Sequence, residues 1–140
     1  MGTVHGCHIP DDLFYNVENN VWTKPEGNGL IVVGMTAYAC SLSGTIISYL
    51  PRKVGKEVRR DKACGTVESG KWVGPIKAPV GGEVVEVNEI LLERPELINA
   101  DPYGEVWLLK IRPFNWEDDS LTLLTGAAAL DAYAIRMDEE

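Results

Sequence analysis

Lys71 is the residue of this 140-residue chain whose surroundings best suit chemistry. It follows Glu68-Ser69-Gly70 and precedes Trp72-Val73-Gly74, and extended residues on both sides predict a tight hairpin turn at Ser69-Gly70, where glycine can take a positive φ. A lysine at such a tip has its backbone fixed by two strands while its four-carbon side chain projects into water. This geometry suits acylation of the amine, although most surface lysines are simply solvated. Lys77, six residues downstream in the returning strand, is predicted to be a lysine on the strand face rather than a second attachment site.

No other group of side chains matches a known catalytic or metal-binding pattern. Both histidines lie near the amino terminus, and the chain has no Ser/His/Asp or Cys/His arrangement and no phosphate-binding glycine loop. The trio His5, Cys7 and His8 offers too few ligands for a closed metal site, and the three cysteines Cys7, Cys40 and Cys64 contain no CxxC pair. We therefore expect no catalytic residue and no metal. The alternative is that the chain is itself an enzyme. Its candidate acid–base groups would then be Tyr103 and the scattered carboxylates.

The composition is that of an ordinary acidic globular protein. Thirteen Lys and Arg against 21 Asp and Glu give a net charge of 13 − 21 = −8, which argues against nucleic acid or an anionic membrane as partner. An acidic surface instead complements basic patches on other proteins. No apolar run is long enough for a membrane span, and the first residues lack the apolar core of a signal peptide. We expect a cytoplasmic protein without membrane insertion, with residues 1–140 forming one domain.

Short extended runs separated by Gly and Pro predict a mainly β fold. The predicted strands cover Leu30 to Val33, Gly44 to Leu50, Glu83 to Val87, and Val106 to Ile111. The predicted helices cover Thr36 to Ser43, Leu91 to Ile98, and a tail from Ser120 onward that Asp118 or Asp119 caps and that presents Leu130, Tyr133 and Ala134 on one face. We expect this tail to close over the sheets.

Two glycine-containing strings recur at nearly the same distance along the chain. Gly44-Thr45-Ile46-Ile47 is matched by Gly82-Glu83-Val84-Val85 at an offset of 82 − 44 = 38, and Gly65-Thr66-Val67 is matched by Gly104-Glu105-Val106 at an offset of 104 − 65 = 39. Two copies are too few for a solenoid. The pattern therefore predicts a duplicated β unit folded into a flattened barrel or sandwich with pseudo-two-fold symmetry.

Four segments resemble, in order and spacing, the motifs of the glycine cleavage H-protein family. They are an E-S-x-K loop at 68–71, an A-P-x-x-G-E-V-x-x-V-N strand at 78–88, a P-E-L-x-N-x-D-P-Y-G segment at 95–104 and a W-L-x-K-I strand at 107–111. The resemblance implies a lipoyl-domain core of about 28–112, a barrel-sandwich hybrid of two antiparallel sheets, with a C-terminal helical tail of about 118–138. It also implies that Lys71 carries lipoic acid in amide linkage, with Glu68, Ser69 and Gly70 forming the recognition hairpin.

The function implied by this resemblance is that of a non-enzymatic carrier. A lipoyl arm on Lys71 shuttles a bound group between partner enzymes, and a lipoate ligase or lipoyl transferase attaches it. Tethering keeps the arm at a high effective concentration for each partner. The acidic residues that we consider for contact or orientation are Glu68, Glu83, Asp101 and Glu105. Biotin carriers share the general fold but flank their lysine with methionines, whereas Gly70 and Trp72 flank Lys71.

Several positions depart from the usual H-protein pattern. The histidine-glutamate-tryptophan signature near the start is replaced by Asn19-Asn20-Val21-Trp22, Trp72 follows the lysine, and Val106 stands where glycine is usual. These features are similar to the H-like lipoate-binding proteins of sulfur-oxidising systems, in which a heterodisulfide-reductase-like complex is the partner. Our main hypothesis is therefore lipoate-dependent sulfur oxidation. The first alternative is the H protein of glycine cleavage, which carries an aminomethyl group between the P, T and L proteins, and the second is a lipoyl-relay protein.

Overall fold

The computed structural model describes residues 2–4, 7–10, 12–103 and 106–139 of the chain. The strands are β1 (Gly2–Val4), β2 (Cys7–Ile9), β3 (Phe14–Asn16), β4 (Val21–Pro25), β5 (Ile31–Met35), β6 (Ile46–Pro51), β7 (Glu57–Val58), β8 (Ala63–Ser69), β9 (Val73–Lys77), β10 (Gly82–Val87), β11 (Leu109–Pro113) and β12 (Leu124–Thr125). The helices are α1 (Ala37–Ser43), α2 (Ile90–Glu93), α3 (Leu97–Ala100), α4 (Trp116–Ser120) and α5 (Gly126–Glu139).

Two antiparallel sheets enclose the main core. The larger sheet has the order β12-β3-β4-β5-β11-β10-β7, the smaller has the order β6-β8-β9, and β1 and β2 form a separate pair. Val33 and Ile111 of the larger sheet and Ile46 and Val67 of the smaller one belong to the same buried cluster. The mainly β fold with two antiparallel sheets, predicted from the sequence, is confirmed, and the sheets remain open at their edges.

Strand β5 is buried along its whole length because both of its faces are covered. Ile31 and Val33 face the main core, whereas Val32 joins a second cluster on the other face of the large sheet. Gly34 allows this arrangement, since a Cβ at that position would overlap the indole of Trp22, which lies directly against the strand. Because both faces of β5 are buried, this strand requires a continuous apolar run instead of an alternating one.

The duplication predicted from the repeated strings is visible as a repeated irregularity in strand pairing. The β6–β8 register shifts between Ile46 and Ser48, and the β10–β11 register shifts between Val84 and Glu86. Both pairs of positions are separated by the predicted offset, since 84 − 46 = 38 and 86 − 48 = 38. Each half of the core thus contains the same bulged antiparallel pair, which agrees with pseudo-two-fold symmetry.

The offset of 39 residues, predicted from the second pair of strings, does not relate the partner strands β8 and β11. Ser69 pairs with Ile46 and Ile111 pairs with Val84, so the offset between these partners is 111 − 69 = 42 instead of 39. Helices α2 and α3 lie between β10 and β11, so the second half contains a longer connection than the first. Gly104 and Glu105, on which the second string rested, lie outside the described residues.

Helix α1 begins and ends where its sequence predicts. The hydroxyl of Thr36 accepts a hydrogen bond from the Ala39 amide at 3.1 Å, which caps the amino-terminal end. Gly44 ends the helix with a φ of +78°, a conformation that glycine adopts without a steric penalty. By contrast, the predicted helix from Leu91 to Ile98 is two short helices, because Pro95 disfavours the α conformation of the preceding Arg94, whose φ is −132°.

The predicted cap of the C-terminal tail was wrong. Asp118 and Asp119 lie inside the short helix α4, whose cap is the side chain of Asn115, which accepts a hydrogen bond from the Asp118 amide at 3.1 Å. The long helix α5 begins later, at Gly126.

Helix α5 covers one face of the large sheet, as the sequence predicted. Its buried side chains, Ala129, Tyr133 and Met137, repeat at every fourth position and pack into the second cluster against Tyr15 and Trp22. Of the three residues predicted for its buried face, Tyr133 is fully buried and Leu130 packs at the margin of the cluster, while Ala134 is half-buried. Within the described parts of the chain, no helix combines the length and apolar character needed to cross a bilayer.

We predict that Gly82→Ala lowers the free energy of unfolding by about 1–3 kcal/mol, a typical cost of overpacking. A Cβ at Gly82 would overlap the carbonyl oxygen of Arg112 on the paired strand, and backbone cannot move aside as a side chain can. The measurement is urea denaturation. Gly81→Ala is the matched control, since the nearest atom to its added Cβ lies at 3.5 Å, and equal destabilisation of both variants would contradict the prediction.

Candidate functional site

The β8–β9 hairpin holds Lys71 at its tip. The last strand pair is Glu68 with Val73, and beyond it the Ser69 amide donates a hydrogen bond to the Trp72 carbonyl at 2.7 Å. The Ser69 hydroxyl contributes as well, donating to the same carbonyl at 3.3 Å and accepting from the Lys71 amide at 3.4 Å. Ser69 is itself buried, so this side chain fixes the backbone on both sides of the lysine.

The turn differs in one respect from the prediction. Gly70 does not take a positive φ, and the turn is closed by the Ser69 hydroxyl instead. No heavy atom lies within 4 Å of the position that a Cβ on Gly70 would occupy. The outer side of the tip is therefore open to an approaching protein.

The side chain of Lys71 lies over the carboxyl-terminal end of helix α1. A Cβ added to Gly44 would be 3.3 Å from Lys71 Cε and 4.0 Å from its Nζ, so the absence of a side chain at Gly44 leaves the space that the lysine uses. Carbonyl groups at the end of a helix favour a nearby cation. Lys71 is exposed and forms no ion pair with any residue that the structure describes, which leaves its amine reachable.

A cleft of about 640 Å³ opens beside Lys71, between the outer edge of β9 and the larger sheet. Strand β9 is an edge strand of the three-stranded sheet, and it spans roughly 13 Å at the usual rise per residue. The cleft is lined by Glu18, Asn19, Asn20, Val21, Met35, Ala39, Leu42, Ser43, Val67, Lys71, Trp72, Pro75, Ile76 and Lys77. Lys77, the predicted strand-face lysine, is exposed at the far end of β9 and shares the cleft with Lys71.

The wall of the cleft opposite β9 is a hydrogen-bonded turn that precedes β4. The Asn16 side chain accepts a hydrogen bond from the Asn19 amide at 3.0 Å, and Asn20 adopts a left-handed φ of 58°, which asparagine tolerates better than most residues. Arg136 of helix α5 donates to the carbonyl of Val17 and to that of Glu18, the latter at 2.9 Å. The C-terminal helix therefore supports a wall of the cleft, which the sequence did not predict.

The acidic residues that the sequence singled out belong to different elements of the fold. Glu68 is exposed beside the hairpin tip, and Asp101 is exposed after helix α3. Glu83 pairs with Arg112 at 3.4 Å on the large sheet, and Glu105 lies outside the described residues. Of these acids, Glu68 belongs to the hairpin that presents Lys71. The contact with Gly44 and the cleft itself had no local sequence signal, because both depend on how α1 and β9 meet in space.

The remaining reactive side chains form no second site among the described residues. No group of three metal-ligating side chains occurs there, and His5 of the proposed amino-terminal trio lies outside the description. Cys40 and Cys64 are both buried. Burial raises the pKa of the Cys64 thiol to about 12, which keeps it in the unreactive thiol form at neutral pH.

We predict that Cys64 of the native protein resists alkylation by iodoacetamide at pH 9, where an ordinary thiol is substantially ionised. Alkylation requires the thiolate, and the raised pKa of Cys64 keeps the thiol protonated at this pH. Because the side chain is also completely buried, the reagent reaches it only when the fold opens locally. Peptide mass mapping of a Cys7→Ser variant, native and in urea, measures this directly. Rapid alkylation of the native form, comparable to that in urea, would contradict the assignment of Cys64 to the core.

Comparison with known proteins identifies a family and several full-length relatives. The family model described as glycine cleavage H-protein matches residues 13–134. "Glycine cleavage system H protein 5" of Aquifex aeolicus is 43% identical over 135 residues, covering 94% of this chain and 90% of the relative. "Probable glycine cleavage system H protein 2" of Sulfurisphaera tokodaii is 42% identical over 132 residues, covering 93% of this chain and 88% of the relative.

A solved structure shows the same architecture. The crystal structure of a glycine cleavage system H protein from Mycobacterium marinum matches with a TM-score of 0.78 and 32% identity, covering 89% of this chain and 98% of that one. The names of these relatives favour the glycine-cleavage alternative over our main hypothesis of sulfur oxidation, which they do not support.

Proposed function

Because the chain belongs to the glycine cleavage H-protein family, we propose that it is a lipoyl carrier with no catalytic activity of its own and that lipoate is joined by an amide bond to Lys71. The observation that carries this proposal is the position of Lys71, exposed at the tip of a hairpin whose backbone is hydrogen-bonded on both sides of it. An attaching enzyme can enclose such an amine without unfolding the strands that present it.

The surroundings of Lys71 fit a lipoyl group. A bound lipoyl group supplies a dithiolane that can be reduced to a dithiol and can hold a transferred group through sulfur. The cleft beside the lysine has buried apolar walls, among them Val21, Met35 and Ile76, which match the apolar chain and ring of such an arm. We propose that the arm rests in this cleft between encounters with partner enzymes and leaves it to react.

The residues of this chain contribute position rather than bond-making chemistry. Ser69 holds the turn, and Gly44 leaves space for the lysine side chain above the end of α1. The turn braced by Arg136 forms the opposite wall, so the cleft keeps its shape when the arm leaves. A tethered arm then meets successive partners at the high effective concentration that a short flexible link provides.

For the pathway, we propose glycine cleavage, with the P, T and L proteins and a lipoate ligase as partners. The names of the relatives support this choice. The cargo of the arm is then the aminomethyl group derived from glycine. The exposed Glu68 beside the tip and the net charge of −8 favour partner surfaces with basic residues.

We predict that a lipoate ligase with ATP and lipoate adds one lipoyl group to the wild-type chain and none to Lys71→Arg. Lys77→Arg is the matched control, since this second exposed lysine lines the same cleft, and it is expected to be modified like the wild type. Intact-mass measurement gives the stoichiometry. Modification of Lys71→Arg, or a wild-type chain that stays unmodified, would refute the attachment site.

We predict that the lipoylated chain, incubated with a glycine decarboxylase, gains mass on its arm only when glycine is present. The Lys71→Arg chain serves as the control and gains none. If glycine produced no gain while thiosulfate-derived sulfur did, the pathway would be sulfur oxidation, although the carrier role would stand. Transfer of the intact lipoyl group to an acceptor domain would instead indicate a lipoyl-relay protein.

A further inference from the structure

The indole of Trp72 packs against strand β9 and lines the cleft. Its ring lies against Gly74 on strand β9, so closely that a Cβ on Gly74 would overlap ring atom Cζ2. The backbone of Trp72 is fixed as well, because its carbonyl accepts hydrogen bonds from both the amide and the hydroxyl of Ser69. An aromatic side chain that directly follows the proposed attachment lysine thus packs on strand β9 beside it.

Trp72 differs from the buried apolar residues of the cleft in how much surface it offers. The buried apolar wall includes Val67, Ile76 and Met35, which are 1%, 3% and 5% exposed. Most of their surface packs within the main core, so little of it is available to a ligand. Trp72 is 43% exposed and lines the cleft, which leaves much of its ring free to contact a ligand. The other exposed apolar residues that line the cleft are Leu42, at 44%, and Pro75.

Lys71, Leu42 and Trp72 all line the same cleft. The lysine lies over Gly44, which directly follows the end of helix α1, and Leu42 belongs to that last turn. Trp72 stands on the β9 side of the same opening. An arm attached at Lys71 therefore enters a cleft that offers both the exposed indole of the next residue and a buried apolar wall.

We propose that Trp72 is the residue that retains the lipoyl arm in the cleft, and that Gly74 sets the position of its ring. The proposal rests on the proposed function, since it presupposes lipoate on Lys71. The indole face receives the apolar chain of the arm and contacts the sulfur atoms of the dithiolane, because sulfur packs favourably at the edge and face of aromatic rings. Gly74 allows this by leaving room for the ring to lie flat against the strand.

Two variants separate the presence of the ring from its position. Trp72→Ala removes the indole, whereas Gly74→Ala keeps it and displaces it from the strand, since the added Cβ occupies the place of the ring. Trp72→Phe keeps a smaller aromatic face and is expected to restore part of the effect. Phe114→Ala is the matched control, because Phe114 is 64% exposed and does not line the cleft.

The experiment measures how fast a water-soluble phosphine reduces the dithiolane of each lipoylated variant, with the resulting dithiol trapped by iodoacetamide and counted by mass. Intact mass first establishes that every variant is lipoylated, so a failure of the proposed function is recognised separately, and circular dichroism establishes that every variant is folded. We expect Trp72→Ala and Gly74→Ala to be reduced roughly two- to tenfold faster than the wild type, the range that an aromatic–sulfur contact supports. Phe114→Ala is expected to match the wild type.

Reduction of Trp72→Ala at the wild-type rate, or equal acceleration of Trp72→Ala and Phe114→Ala, would overturn the role of Trp72. A wild-type rate for Gly74→Ala would overturn the role of Gly74 in placing the ring. Tryptophan fluorescence gives a second readout, since lipoylation is expected to quench the emission of the wild type more than that of Trp72→Phe. An equal change in both proteins would show that the dithiolane does not contact the indole.

Discussion

The register of strand β8 is the constraint on which the site depends. This strand lies between β6 and β9, pairs with both, and alternates buried and exposed side chains, so that Val67 faces the core and Glu68 faces solvent. A slip of one residue would exchange these two faces and expose the buried set. The same register places Ser69 at the end of the strand, where its amide and hydroxyl close the turn that presents Lys71. Core packing thereby determines the position of an exposed amine.

The duplicated core shows how one architecture can support two unequal halves. The bulges at 46–48 and 84–86 are equivalent, and each belongs to a bulged antiparallel pair that contributes to the same core. The first half connects its strands to the β8–β9 hairpin, whereas the second inserts helices α2 and α3 before β11. The bulged pairs are therefore common to both halves, whereas the hairpin that presents Lys71 belongs to the first half alone.

The distribution of charge separates structural carboxylates from those available to partners. Glu26 bonds Lys110 at 2.7 Å and raises the pKa of that amine, and Asp119 bonds both Arg60 and the Gly81 amide. Glu68 has no such partner among the described residues and remains exposed beside the hairpin tip. Some carboxylates of this chain are thus paired within the fold. Unpaired ones such as Glu68 face solvent, where the net charge of −8 can steer encounters with basic surfaces.

The sequence by itself determined the local features: the strands flanking Lys71, the bounds of α1, the 38-residue offset between the bulged strands β6 and β10, and the motifs of the H-protein family. These depend on neighbouring residues, whose conformational preferences and hydrophobic periods can be read directly. Only the tertiary structure decided that Gly44 accommodates Lys71, that Gly74 supports the ring of Trp72, and that a cleft separates β9 from the larger sheet. The C-terminal helix was likewise predicted to exist but not to begin at Gly126 or to brace the cleft through Arg136. Such contacts join residues far apart in the chain, and side-chain packing between elements leaves no periodic signal in the sequence.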